Sequence, residues 1–210
     1  KVEETKAAVA PAAAGDVTLG GLYAHDGMVS VLAGGDILDG NEAAVNVYAS
    51  AAQLVAGGSV GGPGAAAIDT EVGTLAARAS GGSVYVSEAD ALTLGTVGAI
   101  SVNRIGLDSS VTPVAGEELV AAVRARNNVK IEAGVYAAGN LTVSTAVGAG
   151  DDVLLHARQG DLAVNAAVSA GKQAVDDLTL LASLGITQSA VGDITAGGTI
   201  DVEAQGGSVE

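Results

Sequence analysis

Two pairs of adjacent carboxylates, Asp151-Asp152 and Asp176-Asp177, stand 25 residues apart. If that interval is one structural repeat, four acids stack along one edge, where they raise one another's pKa or recruit a cation. Three readings of the pairs are open. They are turn residues, since each pair directly precedes the start of an aliphatic strand at Val153 or Leu178 and Asp is favoured in turns. They form a calcium-binding edge. Or they are catalytic carboxylates of the kind that cleave polysaccharides. The turn reading is the simplest, because it needs nothing beyond the local chain.

The remaining reactive side chains are sparse. Gly34-Gly35-Asp36-Ile37-Leu38-Asp39-Gly40 shares part of a glycine- and aspartate-rich calcium-binding nonapeptide, but occurs once, without the tandem copies that complete such sites, and reads as a plain turn. His25 and His156 are the only histidines, and neither has a Cys partner or a His or Glu at helical spacing that would suggest a metal site. His156 falls on an outward position of the strand Val153-Leu154-Leu155-His156-Ala157. Asn140-Leu141-Thr142 matches a glycosylation acceptor, and a turn before a strand accounts for the same residues. Tyr23, Tyr48, Tyr85 and Tyr136 are too few to line a carbohydrate cleft of the usual kind. No G-x-S-x-G elbow supports a serine nucleophile. No catalytic, cofactor-binding or metal-binding residue is therefore assigned, no cofactor is expected, and the chain reads as non-enzymatic.

Composition narrows the elements that could position any of these groups. The 210 residues include 31 Gly, no Cys, Trp or Phe, and a net charge of −15, with 49% apolar but only 2% aromatic side chains. A mean hydropathy of +0.43 is too high for a disordered chain. No uninterrupted apolar run approaches the ~18 residues of a membrane span. The acidic excess repels phosphate backbones and anionic headgroups, which argues against nucleic acid and against direct membrane insertion. Any core must be narrow and built from Ala, Val, Leu and Ile.

Such a core follows from a repeat. Gly-Gly-Ser-Val occurs at Gly57–Val60, Gly81–Val84 and Gly206–Val209. The first aliphatic residues after turns form a ladder, Val17, Ile37, Val60, Val84, Leu107, Val129, Val153, Leu178 and Ile200, with steps of 20 to 25 residues. A second ladder runs half a period away through Val47, Val72, Leu94, Leu119, Leu141, Leu162, Ile186 and Val209. Within rungs such as Val129-Lys130-Ile131-Glu132-Ala133 the apolar residues alternate with charges, as in a half-buried strand. Helical patterning is confined to Val2–Ala14, which Pro11 and Gly15 end, and to Glu117–Arg126.

A step of about 23 residues is too long for the ~8 to 12 of an antiparallel sandwich and fits one coil of a parallel β-helix. The expected fold is all-β, a right-handed parallel β-helix (solenoid) of about nine coils spanning 15–210, with 1–14 as an N-terminal arm or linker. Right-handedness follows from the usual sense of parallel crossovers. At ~4.8 Å per coil the rod is roughly 43 Å long.

The units Ala79-Ser80-Gly81-Gly82-Ser83-Val84-Tyr85-Val86, Ala157-Arg158-Gln159-Gly160-Asp161-Leu162-Ala163-Val164 and Ala196-Gly197-Gly198-Thr199-Ile200-Asp201-Val202 resemble the repeats of filamentous haemagglutinin-type proteins. The resemblance runs from about Gly15 to the C-terminus and carries no functional residue over. It implies a secreted or cell-surface bacterial protein with an adhesive or structural role. Gly206-Gly207-Ser208-Val209-Glu210 opens a rung without closing it, so the coils are expected to continue in a longer rod or to stack end to end with like chains. A host or neighbouring-cell surface or a matrix polysaccharide is the expected external partner. The alternative function is a calcium-dependent carbohydrate-binding or carbohydrate-cleaving β-helix.

Overall fold

A computed structural model describes residues 15–116, 119 and 122–210, together with the backbone of Val2–Glu3. The chain is an all-β parallel solenoid. Its first ladder is continuous: Val17 pairs with Ile37, Ile37 with Val60, Val60 with Val84, Val84 with Val129, Val129 with Val153, Val153 with Leu178, and Leu178 with Ile200. These eight rungs define eight coils, where the sequence suggested about nine. The extra rung was Leu107, and it lies outside the ladder.

Strand formation follows from alternation. Val129–Ala133, Val153–Ala157 and Leu178–Ala182 share one burial pattern, with positions one, three and five inside and the two between them partly exposed. Parallel, in-register stacking places like on like, so Ile131, Leu155 and Leu180 form an interior column with no exposed surface. Each such side chain contributes about 1.5–3 kcal/mol by leaving water. A second face carries the column Leu92, Leu141, Leu162, Ile186 and Val209. A third is formed by Val123–Ala125, Val147–Gly148, Val168–Ser169 and Ile194–Thr195.

In the early coils two long strands, Val47–Ala56 and Ile68–Ala79, run on where later coils turn corners. Ile68–Ala79 pairs in succession with Val84–Glu88, Leu92–Leu94 and Val123–Ala125. That continuity shifts the second ladder: Val47 lies opposite Thr70, Val72 opposite Ala49, and Leu92 rather than Leu94 lies beneath Leu141. From Leu141 onward the expected register holds. The third Gly-Gly-Ser-Val is on a different face from the first two, since Val209 pairs with Ile186.

Between Leu94 and Val123 the chain leaves the solenoid. Ser101–Ile105 and Val111–Ala115 form an antiparallel hairpin, with Val97 and Leu119 bridged at its neck. Gly106, Asp108 and Ser110 close its turn, with the Ser110 N–H bonded to Asp108 Oδ1 at 3.0 Å. Leu107 stands fully exposed at the tip. The step from Val84 to Val129 is therefore one coil plus a hairpin. Beneath the neck, Val55, Ala76, Val97, Ile100 and Leu119 form a second small core outside the solenoid wall.

The helical expectations fare differently along the chain. Val123–Ala125, the end of the suggested Glu117–Arg126 helix, is a strand paired with Ala77–Ala79. Its ladder position overrides its local propensity. Residues 117, 118, 120 and 121 lie outside the described residues. Val2–Glu3 is a short strand paired in parallel with Val31–Leu32, and 4–14 lie outside the described residues. Gly64–Ala66 is the one helical turn among the described residues.

Candidate functional site

One corner repeats in every coil and holds Asp152 and Asp177, one acid of each pair. Immediately before each rung of the first ladder stands Asp16, Asp36, Ser59, Ser83, Asn128, Asp152, Asp177 or Thr199. The side-chain oxygen of each of the first seven accepts the backbone N–H of the equivalent residue in the next coil, at 2.5 to 3.2 Å. The same residues bond back through their main chain: Asp36 O accepts from Val17 N at 2.8 Å, Asp152 O from Val129 N at 2.9 Å, and Asp177 O from Val153 N at 3.0 Å. Every joint at this corner thus has one main-chain bond and one side-chain bond. Short polar side chains are favoured because only they reach the neighbouring N–H without leaving the turn.

Glycine takes the position just before the bend at Gly57 and Gly150, while Ser80 and Arg126 hold it in the coils between. A Cβ on Gly150 would lie 1.9 Å from Arg126 O, and one on Gly57 would lie 2.0 Å from Gly34 O. At those two points the coils touch backbone to backbone, and a side chain on Gly57 or Gly150 does not fit.

The two Asp pairs are separated by this geometry. Asp152 and Asp177 belong to the corner ladder, each bonded to the next coil. Asp176 is buried and turned back, with Oδ2 accepting the Gln173 N–H at 2.7 Å. Among the described residues no three His, Cys, Asp or Glu side chains gather where they could hold a metal ion. In Gly34–Gly40, Asp36 is a ladder residue, and Asp39 Oδ1 accepts the Asn41 N–H at 2.9 Å and the Asn46 Nδ2 at 2.9 Å. Asn140 begins a shorter ladder, its Oδ1 accepting Asp161 N at 2.9 Å, while Asp161 Oδ1 accepts Gly185 N at 2.8 Å.

The histidines and tyrosines lie on the outside. His156 Nδ1 is 3.5 Å from Glu132, which also meets Lys130 at 2.9 Å and Arg158 at 3.8 Å. Burial pushes the Glu132 carboxyl up, but the Lys130 hydrogen bond and the charges of Lys130, Arg158 and His156 outweigh it and hold the pKa below the usual carboxylate range. Tyr23 and Tyr48 are register partners with ring centroids 6.4 Å apart, and His25 meets Tyr48 edge-on at 5.5 Å. The His25 and Tyr48 rings border a shallow cleft of about 270 Å³ that Glu71 and Asp90 also line. A larger open cleft of about 810 Å³ lies on the third face over Ser169 and Thr195, walled by Lys172, Gln173 and Asp176. It has no aromatic wall on which a sugar ring could stack.

Comparison with family models, with curated proteins and with solved structures gives no match. Two features of the structure were missed in the sequence. The hairpin had a signal: Met28–Ala33 and Val47–Ala56 are nearly continuous apolar runs, the mark of strands covered on both faces. The reciprocal bonding of the corner had only the recurrence of Asp, Asn and Ser before each aliphatic rung.

Proposed function

We propose that the chain is a non-enzymatic structural segment of a secreted or cell-surface bacterial fibre or adhesin, forming a stiff rod that stacks end to end. The observation that carries this reading is the unbroken corner ladder, in which seven successive joints repeat the same pair of bonds. A solenoid whose every coil is bonded to the next resists bending and stretching as a unit. Eight coils at ~4.8 Å each give a rod of about 38 Å. The resemblance to filamentous haemagglutinin-type repeats supports the same role and the bacterial surface as its place.

In the proposed rod a further coil or a like chain covers Ile200 and Val209, which are 46% and 57% exposed where their partners one coil earlier, Leu178 and Ile186, are 0% and 1%. With a net charge of −15, the sides of the rod repel one another and lateral strand pairing is disfavoured. Host or neighbouring-cell surfaces and matrix polysaccharide are the external partners this role implies.

Antibody labelling of intact producing cells tests the proposal. Label along surface filaments is expected. Label that appears only after permeabilisation, with no filaments, would contradict it.

A further inference from the structure

Among the described residues Glu88 is the one acid with no exposed surface. Counting inward positions from Val84, it fills the slot that Ala133, Ala157 and Ala182 fill in the next three coils. Its Oε2 accepts the Thr70 hydroxyl at 2.7 Å, and both carboxyl oxygens lie 3.1 Å from the Val72 N–H. That N–H needs an acceptor because the ladder fails locally. Ala89 N donates to Thr70 O, as a parallel pair requires, but the Ala89 carbonyl that would next receive Val72 accepts instead from Tyr136 and Ala137, at 3.0 and 2.9 Å. The Glu88 carboxyl replaces the diverted carbonyl and closes the gap between the third and fourth coils.

The carboxylates around it are Asp90, Asp69 and Glu71, and His25 and Tyr48 line the cleft beside Glu71, Val72 and Asp90. Asp90 shares its turn and adds a repelling charge. Asp69 and Glu71 flank Thr70 on the third coil, and Asp39 on the second faces Asp69. The fifth-coil segment against this turn, Ala133–Ala137, has no charged residue.

We propose that Glu88 is a proton-operated clasp between the third and fourth coils: the joint is tight while the carboxyl holds a proton and opens more readily once that proton has passed to water. Protonated, the group can still accept from Val72 and can donate to Thr70 Oγ1, so the gap stays closed without a buried charge. Burial pushes its pKa up to about 7, against hydrogen bonds from Thr70, Val72 and Asp90 that pull it down. Asp69 is also raised, first by burial and further by Asp39, against a hydrogen bond with Ser87.

The test is a carboxyl-carbon NMR titration of the full chain, together with amide hydrogen exchange at Val72 and Ala89 corrected for intrinsic rates. The opening constant should rise by up to about two orders of magnitude between pH 4.5, the ordinary glutamate value, and 7, then level off. Glu88→Gln should remove most of the rise and Asp69→Asn should leave most of it in place. If Glu88→Gln fails to fold, Thr70→Val, which removes a donor to the charged form, should move the Glu88 midpoint upward. A rise undiminished in Glu88→Gln, one lost in Asp69→Asn, or a Glu88 midpoint near 4.5 or unmoved by Thr70→Val would overturn the assignment.

Discussion

Asp152 Oδ1 accepts the backbone N–H of Asp177 at 2.8 Å, and the Asp177 carbonyl accepts the N–H of Val153 at 3.0 Å. Two residues 25 apart in sequence, read most simply as turn residues, thus form a joint between coils. The same joint recurs with Asp, Ser or Asn, so the position selects an acceptor oxygen on a short stem rather than a negative charge.

Asp152→Ala should remove that bond and leave the Asp177 N–H without its side-chain acceptor. The expected cost is about 1–3 kcal/mol in urea unfolding. Asp152→Asn should lose little, since Asn128 does the same work one coil earlier.

Gly150→Ala should be strongly destabilising, by roughly 3 kcal/mol or more, because the new Cβ meets Arg126 O at 1.9 Å and backbone must move. Gly98→Ala, where no atom lies within 4 Å, should unfold at the native denaturant concentration.

Leu155→Ala empties a fully buried interior slot and should cost about 2–5 kcal/mol. Leu107→Ala should change stability by less than about 0.5 kcal/mol, since Leu107 is at the exposed hairpin tip. Equal losses at the two sites in calorimetry would contradict the hairpin and restore Leu107 to the ladder.

The Glu132 cluster gives a pH dependence opposite in sign to that of Glu88. With its pKa held below the unfolded value, Glu132 binds fewer protons folded than unfolded, so its contribution is present above the unfolded pKa and is lost as pH falls through the folded one. Glu132→Gln should flatten the acid limb of stability against pH. An unchanged acid limb would show that Lys130, Arg158 and His156 do not stabilise the folded carboxylate.

The hairpin can be tested by cross-linking, in a chain with no native Cys. Tyr85 and Lys130 are register partners on adjacent coils. Tyr85→Cys with Lys130→Cys should oxidise to a disulfide, since neighbouring strands lie about 4.8 Å apart and a bridge needs Cα atoms within ~7 Å. Were a coil through Leu107 to intervene, the pair would be about 10 Å apart and would stay reduced.

Most of the solenoid was legible because a parallel β-helix writes its period directly into sequence. Val129–Ala133, Val153–Ala157 and Leu178–Ala182 alternate visibly, and in-register stacking repeats their spacing. The absence of Phe and Trp fits the same cross-section, with Tyr23 and Tyr136 exposed outside it. The hairpin was hidden because it is about one period long, so Leu107 fell where a rung was due. The ladder through Val47 and Val72 was misread because long strands crossing a corner shift register by two residues, which keeps the inward face unchanged. Glu88 was invisible because an acid in a strand reads as outward. Only the diverted Ala89 carbonyl gives it an inward partner to serve.

The proposed structural role requires a rod that lengthens without thickening, and small-angle X-ray scattering across a concentration series measures both dimensions. An elongated particle is expected, its cross-sectional radius constant while its length grows in steps of about 38 Å, eight coils at ~4.8 Å. A compact particle, or one whose length is the same at every concentration, would contradict it.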